Sequence, residues 1–318
     1  MKKTLLVNLI ILFSLIALIE TTLRFVFSYN VQGVSKNLIN KELSYRFNAP
    51  NLDYGKAFGA KIYTDENGYR INKNQIKKKG QEILFVGGSV TFGPGVKANN
   101  TFVELLNKAS LYSIKNASVF GTNFENNIKI IESRKNNHKY IKKIFINFPL
   151  DDILSNEISL NENNETNNEI EKIKKNRLID TINKFIRTKS ATYVFIKSII
   201  VNPQLNNYIY DLNLYNNEKL LSQLEVNLLE LTKTFDREKI FFYSIPYAEQ
   251  VKNGCDKQDK SEKILKKIFN KMNYKIYFLK DDLCKEKNPV NFYFKNDPVH
   301  LSKSGHFAVY NVLKKFIN

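Results

Sequence analysis

Three residues in this chain have the types that together make a hydroxyl nucleophilic. Ser89 lies in Gly87-Gly88-Ser89-Val90-Thr91-Phe92-Gly93, directly after the apolar run Glu82 to Val86. His300 closes Asp297-Pro298-Val299-His300, just ahead of a segment whose Phe307, Tyr310, Leu313 and Phe316 have helical period. A serine attacks an acyl carbon only when an imidazole takes its proton and a carboxylate fixes that imidazole's tautomer and orientation. His138 and His306 are read as loop or helix-surface residues without a chemical role. Two other readings of the glycine-rich turn fail on their own chemistry. Gly88 and Gly93 have the gap of a phosphate-binding loop, but Pro94-Gly95 stands where Lys and Ser or Thr are required. The elbow G-x-S-x-G fails because Thr91 occupies the second glycine's place.

These residues can work together only if the fold joins the two ends of the chain. Short apolar runs that suit buried strands occur at Glu82 to Val86, Ser113 to Phe120, Lys143 to Phe148, Lys239 to Ile245 and Lys275 to Leu279. Between them lie helical periods such as Phe102, Leu105, Leu106 and Ala109, or Leu220, Leu224, Leu228 and Leu231. Strands alternating with helices predict right-handed crossovers and a parallel sheet covered on both faces, an α/β three-layer sandwich. In such sheets ligands bind beyond the carboxyl ends of the strands, where Ser89 and the His300 loop are expected. Thr101 and Glu104 read as a capping box that opens the first helix after the serine turn.

The rest of the chain divides around this domain. Residues 1 to 28 read as a transmembrane anchor: about 20 residues of helix cross a bilayer, and Thr4 to Val26 is apolar over that length. Lys2 and Lys3 favour a cytoplasmic N-terminus and an outward-facing domain, and no small-x-small cleavage site follows. Glu20 and Arg24 are expected to pair on one helical face. Residues 29 to 80 read as a polar stalk ending in a hairpin, with Asn67-Gly68 as its two-residue turn. Residues 81 to 318 form the main domain, interrupted at about 155 to 217 by an Asn- and Glu-rich loop and an amphipathic helical insertion or lid. Glu162-Asn163-Asn164-Glu165-Thr166 in that loop resembles an extended glycosylation sequon, of a kind that chance supplies in Asn-rich sequence.

The net charge of +18 comes from 49 Lys and Arg against 31 Asp and Glu. The lysines are scattered and accompany no nucleic-acid motif, so they read as a solvated surface rather than a nucleic-acid interface. Cys255 and Cys284 lack the spacing of a zinc or redox pair, and outside the cytoplasm are expected to form a disulfide. No cofactor and no metal is implied.

Taken together the motifs resemble the SGNH (GDSL-type) hydrolases. The first block matches Val86 to Gly93 with Gly88 in place of the usual Asp, the second matches Asn116-Ala117-Ser118-Val119-Phe120-Gly121, and the last matches Asp297 to His300. Thr64 to Arg70 resembles the Gly-Tyr/Phe-Arg element found ahead of the first block. The resemblance implies a flavodoxin-like sheet and esterase or acyltransferase chemistry. Ser89 would be the nucleophile, His300 the base and then acid, and Asp297 its orienter, with the N–H groups of Ser89 and Gly121 in the oxyanion hole. The third block departs: Pro149-Leu150-Asp151-Asp152 puts a carboxyl where the family has an amide donor. An ionised Asp151 would repel an oxyanion and a protonated one would donate to it; Asn147 or a lid residue are the other candidates. The expected substrate is an acylated glycan or lipid of the cell envelope. A silent glycan-binding or assembly module of the same fold is the alternative.

Overall fold

A computed structural model describes residues 2–26, 31–40, 45–73, 78–134, 140–154, 182–183, 185–256 and 260–317. His138, the sequon-like segment and most of the loop that begins the insertion lie outside the described residues.

The first strand of the parallel sheet shows why the fold is layered. β6 (Glu82–Val86) sends Ile83 and Phe85 to one face and Leu84 and Val86 to the other, and all of these are buried. A strand apolar on both sides requires cover on both sides. Its neighbours repeat the pattern: β8 (Ile141–Asn147) divides Ile144 and Ile146 from Phe145, and β9 (Ile240–Ser244) divides Phe242 from Tyr243.

On one face the cover is α4 (Phe124–Glu132), α7 (Glu218–Thr234) and α9 (Lys260–Lys271). On the other it is α3 (Phe102–Ala109), α8 (Ala248–Asn253), α10 (Lys280–Leu283) and α11 (Lys303–Leu313). With β7 (Ser113–Asn116) and β10 (Ile276–Phe278), the sheet order begins β10-β9-β8-β6-β7, every neighbouring pair parallel. The chain leaves β6 for β7 on one side and then crosses to β8 on the other. That reversal opens a crevice at the carboxyl end of β6, the end from which Ser89 emerges.

The segment expected to be a stalk is instead part of the fold. After a small ribbon of β1 (Ile39–Asn40) and β2 (Phe47–Asn48), the strands β3 (Gly55–Ala57), β4 (Ala60–Thr64) and β5 (Arg70–Ile71) extend the sheet antiparallel beyond β7, making it eight-stranded. Leu38, Ala57 and Ile62 pack around Phe92, so this segment buries the turn that carries Ser89. Its polar composition hid these few apolar anchors.

The two-residue turn is also elsewhere. Ala57 pairs with Ala60 around Phe58-Gly59, both at positive φ (51° and 82°), the geometry of a type I′ hairpin. Asn67-Gly68 belongs to a longer loop between Thr64 and Arg70, in which Asp65 accepts from the N–H groups of Asn67 and Tyr69.

At the N-terminus, α1 (Lys2–Phe25) contains a span from Lys3 to Phe25 of 23 residues, long and apolar enough to cross a membrane, with mean hydropathy 2.2. The described part of the insertion ends in α5 (Ala191–Ile200) and α6 (Pro203–Leu214). Cys255 and Cys284 are joined as a disulfide with Cα atoms 5.7 Å apart.

Candidate active site

Ser89 is the first residue of α2 (Ser89–Phe92), a single turn set on the carboxyl end of β6. The first N–H of a helix has no acceptor within the helix and faces what lies before it. Gly93 closes the turn at φ 78°, and a Cβ there would stand 3.0 Å from the His306 ring, so glycine alone suits the position. Gly88 has its own reason. A Cβ at 88 would stand 3.0 Å from the Thr122 carbonyl oxygen, a tight fit against backbone that glycine avoids.

Two polar clamps hold this turn. Arg70 is buried and donates to the carbonyls of Phe92, Gly93 and Val96, with its guanidinium over the Phe92 ring. Burial without an anion lowers its pKa to about 9, and it still carries its charge at neutral pH. Asn116 donates to the Thr91 carbonyl at 3.3 Å, which ties the second block to the first.

The last loop meets the serine. His300 Nε2 lies 2.9 Å from Ser89 Oγ, and His300 Nδ1 lies 2.9 and 3.0 Å from the two Asp297 carboxylate oxygens. Asp297 is 3% exposed, and Oδ1 also accepts from the N–H groups of Val299 (3.0 Å) and His300 (2.8 Å). Burial alone would raise its pKa; the His300 charge, its hydrogen bond and the two backbone donors outweigh that and hold the carboxyl below its ordinary value. An ionised Asp297 places the proton of neutral His300 on Nδ1 and leaves Nε2 free to accept from the serine.

Aromatic rings fix the imidazole's plane. Phe58 meets it edge-on at 4.9 Å and Phe120 stacks at 6.1 Å. Gln32 donates to Asp297 Oδ2 at 3.4 Å and Gln204 to the Asp297 carbonyl at 3.2 Å. None of these positions except Phe120 lies in a recognisable motif.

Gly121 adopts φ 70°, and its carbonyl accepts from Arg46 at 3.3 Å, which turns that peptide at the rim of the site. Asp151 follows β8 in a short turn, accessible to solvent but crowded on its inner side. Burial raises its pKa, against the pull of a hydrogen bond with Tyr247 and the nearby His300 charge. Tyr247 donates to Asp211 Oδ2 at 2.6 Å. Burial, then the Asp151 charge, push Asp211 up to about 7 although the Tyr247 bond opposes this. Asp152 is buried behind them, raised well above its ordinary value by burial and by Asp151, and accepts from Asn127 at 3.3 Å.

A phenol has one proton. When Tyr247 gives it to Asp211, it has none left to give Asp151. Asn147 is fully buried; its side-chain oxygen accepts from the Ile245 N–H, and its amide nitrogen has no hydrogen-bond partner among the described residues.

His306, expected at a helix surface, is instead fully buried. It stacks on Phe102, accepts from the Phe102 N–H at 3.3 Å, and is held neutral by burial, with the Arg70 and His300 charges adding to this, its pKa near 3. It supports the serine turn from below through Gly93. Among the described residues no cluster of His, Cys, Asp and Glu has the arrangement of a metal site.

No family model and no curated protein matches the chain. Among solved structures it is similar to a lipase/acylhydrolase from Enterococcus faecalis, at 13% identity over 75% of this chain and 97% of that one, with a TM-score of 0.42. A member of the lipolytic G-D-S-L family from Veillonella parvula is similar at 11% identity over 74% and 97%, TM-score 0.41. A catalytic mutant of an acetylxylan esterase from Geobacillus stearothermophilus is similar at 13% over 77% and 97%, TM-score 0.40. These likenesses concern the fold; the chemistry of the site rests on its own distances.

Proposed function

We propose that the chain is a serine esterase or O-acyltransferase of SGNH type, anchored by α1 with its domain facing outward, acting on acyl esters of envelope glycans or lipids. The single observation that carries the reading is the continuous line Ser89 Oγ, His300 Nε2, His300 Nδ1 and Asp297, with contacts of 2.9 to 3.0 Å throughout.

The steps follow from that line. Ser89 Oγ bonds to the acyl carbon as its proton passes to His300 Nε2, and the ester carbonyl becomes an oxyanion near the N–H groups of Ser89 and Gly121. His300 returns the proton to the leaving alkoxide as the carbon–oxygen bond breaks, leaving an acyl-serine. Water or a sugar hydroxyl then loses its proton to His300, attacks, and frees Ser89. Asp297 stays ionised and stabilises the imidazolium at both stages.

Asp151 can serve the oxyanion only in its own protonated form, since an ionised carboxylate would repel it. The silent-module reading draws its support from that carboxyl at 151.

Turnover of p-nitrophenyl acetate by the full-length chain in detergent tests the proposal. Wild type should release nitrophenolate with an initial burst matching the enzyme present, and Ser89→Ala should lose at least about 1000-fold in kcat. Equal turnover by the two would refute acyl-serine chemistry.

A further inference from the structure

α5 joins the membrane span to the catalytic loop. Glu20, in the last turns of α1, accepts from the backbone N–H groups of Ala191 (2.7 Å) and Thr192 (2.9 Å) and from the Ser190 and Thr192 hydroxyls, capping α5. Arg24 pairs with Glu20 at 2.6 Å and donates to the Lys189 carbonyl, while Leu23 and Ala191 are buried against each other beside Val194 and Phe195. Further along, α5 receives a 2.8 Å hydrogen bond at Ser198 from Asn296, the residue before Asp297.

The outward face of α5 is apolar. Ile196, Ile199 and Ile200 are three and four residues apart, on one helical face, and are 49%, 67% and 77% exposed. At the end of α1, Phe25 and Val26 are also exposed. A groove of about 960 Å³ is lined by Arg24, Lys252, Lys295 and Lys303 with Ser302 and Ser304, and among the described residues no carboxylate lines it. The groove also touches Phe294 and Asn296 of the catalytic loop.

A helix clamped to the last turns of a bilayer span sits at that span's interfacial depth. An apolar face with cations alongside is what an interfacial helix needs on a bilayer carrying anionic lipid. We propose that α5 lies in the membrane interface and that the adjoining groove receives the anionic headgroup of a bilayer lipid, setting the Ser89 site against the membrane surface. The proposal rests on α1 crossing the bilayer and is independent of the ester chemistry.

The chain has no tryptophan, so a single introduced indole reports its own depth. Full-length protein is placed in nanodiscs of phosphatidylcholine, alone or mixed with phosphatidylglycerol, with bromine on the acyl chains. Ile199→Trp should be quenched several-fold more than Leu111→Trp, whose site is 95% exposed just before the amino end of β7, away from the carboxyl end of the sheet that carries Ser89. Native mass spectrometry should find phosphatidylglycerol retained over phosphatidylcholine, and the combined Lys252→Gln, Lys295→Gln and Lys303→Gln variant should lose that preference. Equal quenching at the two sites overturns the placement of α5. A missing preference, one unchanged in the triple variant, or displacement of the lipid by free glycerol phosphate overturns the headgroup site. Release of the chain from membranes by alkaline carbonate overturns the premise about α1, and is distinguishable from retention without quenching.

Discussion

Asp211 reaches Asp151 through one shared hydroxyl, that of Tyr247, to which Asp211 is bonded at 2.6 Å. The link brings a carboxyl from the helical insertion to the position where related sequences are expected to carry an amide. Two carboxyls around one phenol cannot both ionise without cost, and among the described residues the charges acting on this pair include no lysine or arginine.

The first consequence concerns pH. Asp151→Asn supplies a donor at every pH, whereas Asp151 donates only while it is itself protonated. The ratio of kcat/KM for Asp151→Asn over wild type should rise with pH as Asp151, whose pKa is raised above the ordinary carboxylate value, loses its proton, toward the roughly 100- to 1000-fold that one oxyanion donor is typically worth. Parallel pH profiles would assign the proton elsewhere.

Stability should show the Asp211 proton with the opposite sign from an ordinary surface carboxylate. Asp211 ionises near pH 4 in the unfolded chain, about its reference value, and near 7 in the folded one. Between those values the folded state binds the extra proton, so stability is greatest below the lower value and declines as pH rises to the upper one. Asp211→Asn should therefore raise Tm more at pH 8 than at pH 5, measured by calorimetry. An equal change at both pH values would contradict the assignment.

Arg70 makes a prediction about the serine turn. Arg70→Met leaves the buried carbonyls of Phe92, Gly93 and Val96 without their donor. At about 1 to 3 kcal/mol for each orphaned group, denaturant unfolding should show a loss of at least about 3 kcal/mol. A change within about 1 kcal/mol would mean that the turn holds itself.

The disulfide should act on stability and leave the chemistry alone. Cys255 and Cys284 are 29 residues apart, and a closed loop of that length restricts the unfolded chain by about 3 to 4 kcal/mol. The double Cys→Ser variant should unfold earlier in denaturant by that amount while retaining kcat at temperatures where it is folded. Loss of kcat in a folded variant would tie the bridge to the site.

The parts that were legible in sequence are those set by local chemistry or by period. Ser89, Asp297 and His300 announced themselves by residue type and turn context, and the parallel strands by short apolar runs with helices between. The antiparallel extension was not legible because its strands have few apolar residues and its hairpin turn is Phe58-Gly59 rather than an Asn-Gly pair. Asp211 and Tyr247 were silent for another reason: one sits on an ordinary helix and the other beyond a strand end, and only the fold brings them together. His306 looked like a surface residue because one polar side chain cannot tell the reader which face of α11 is covered.

The account stands on an activated Ser89, and covalent labelling measures that directly. A fluorophosphonate added to the full-length chain should place one phosphonyl group on Ser89, seen by peptide mass. His300→Ala should slow the labelling by at least about 1000-fold, and Ser89→Ala should abolish it. Labelling that is absent from the folded wild type, or as fast in His300→Ala as in wild type, would contradict the account.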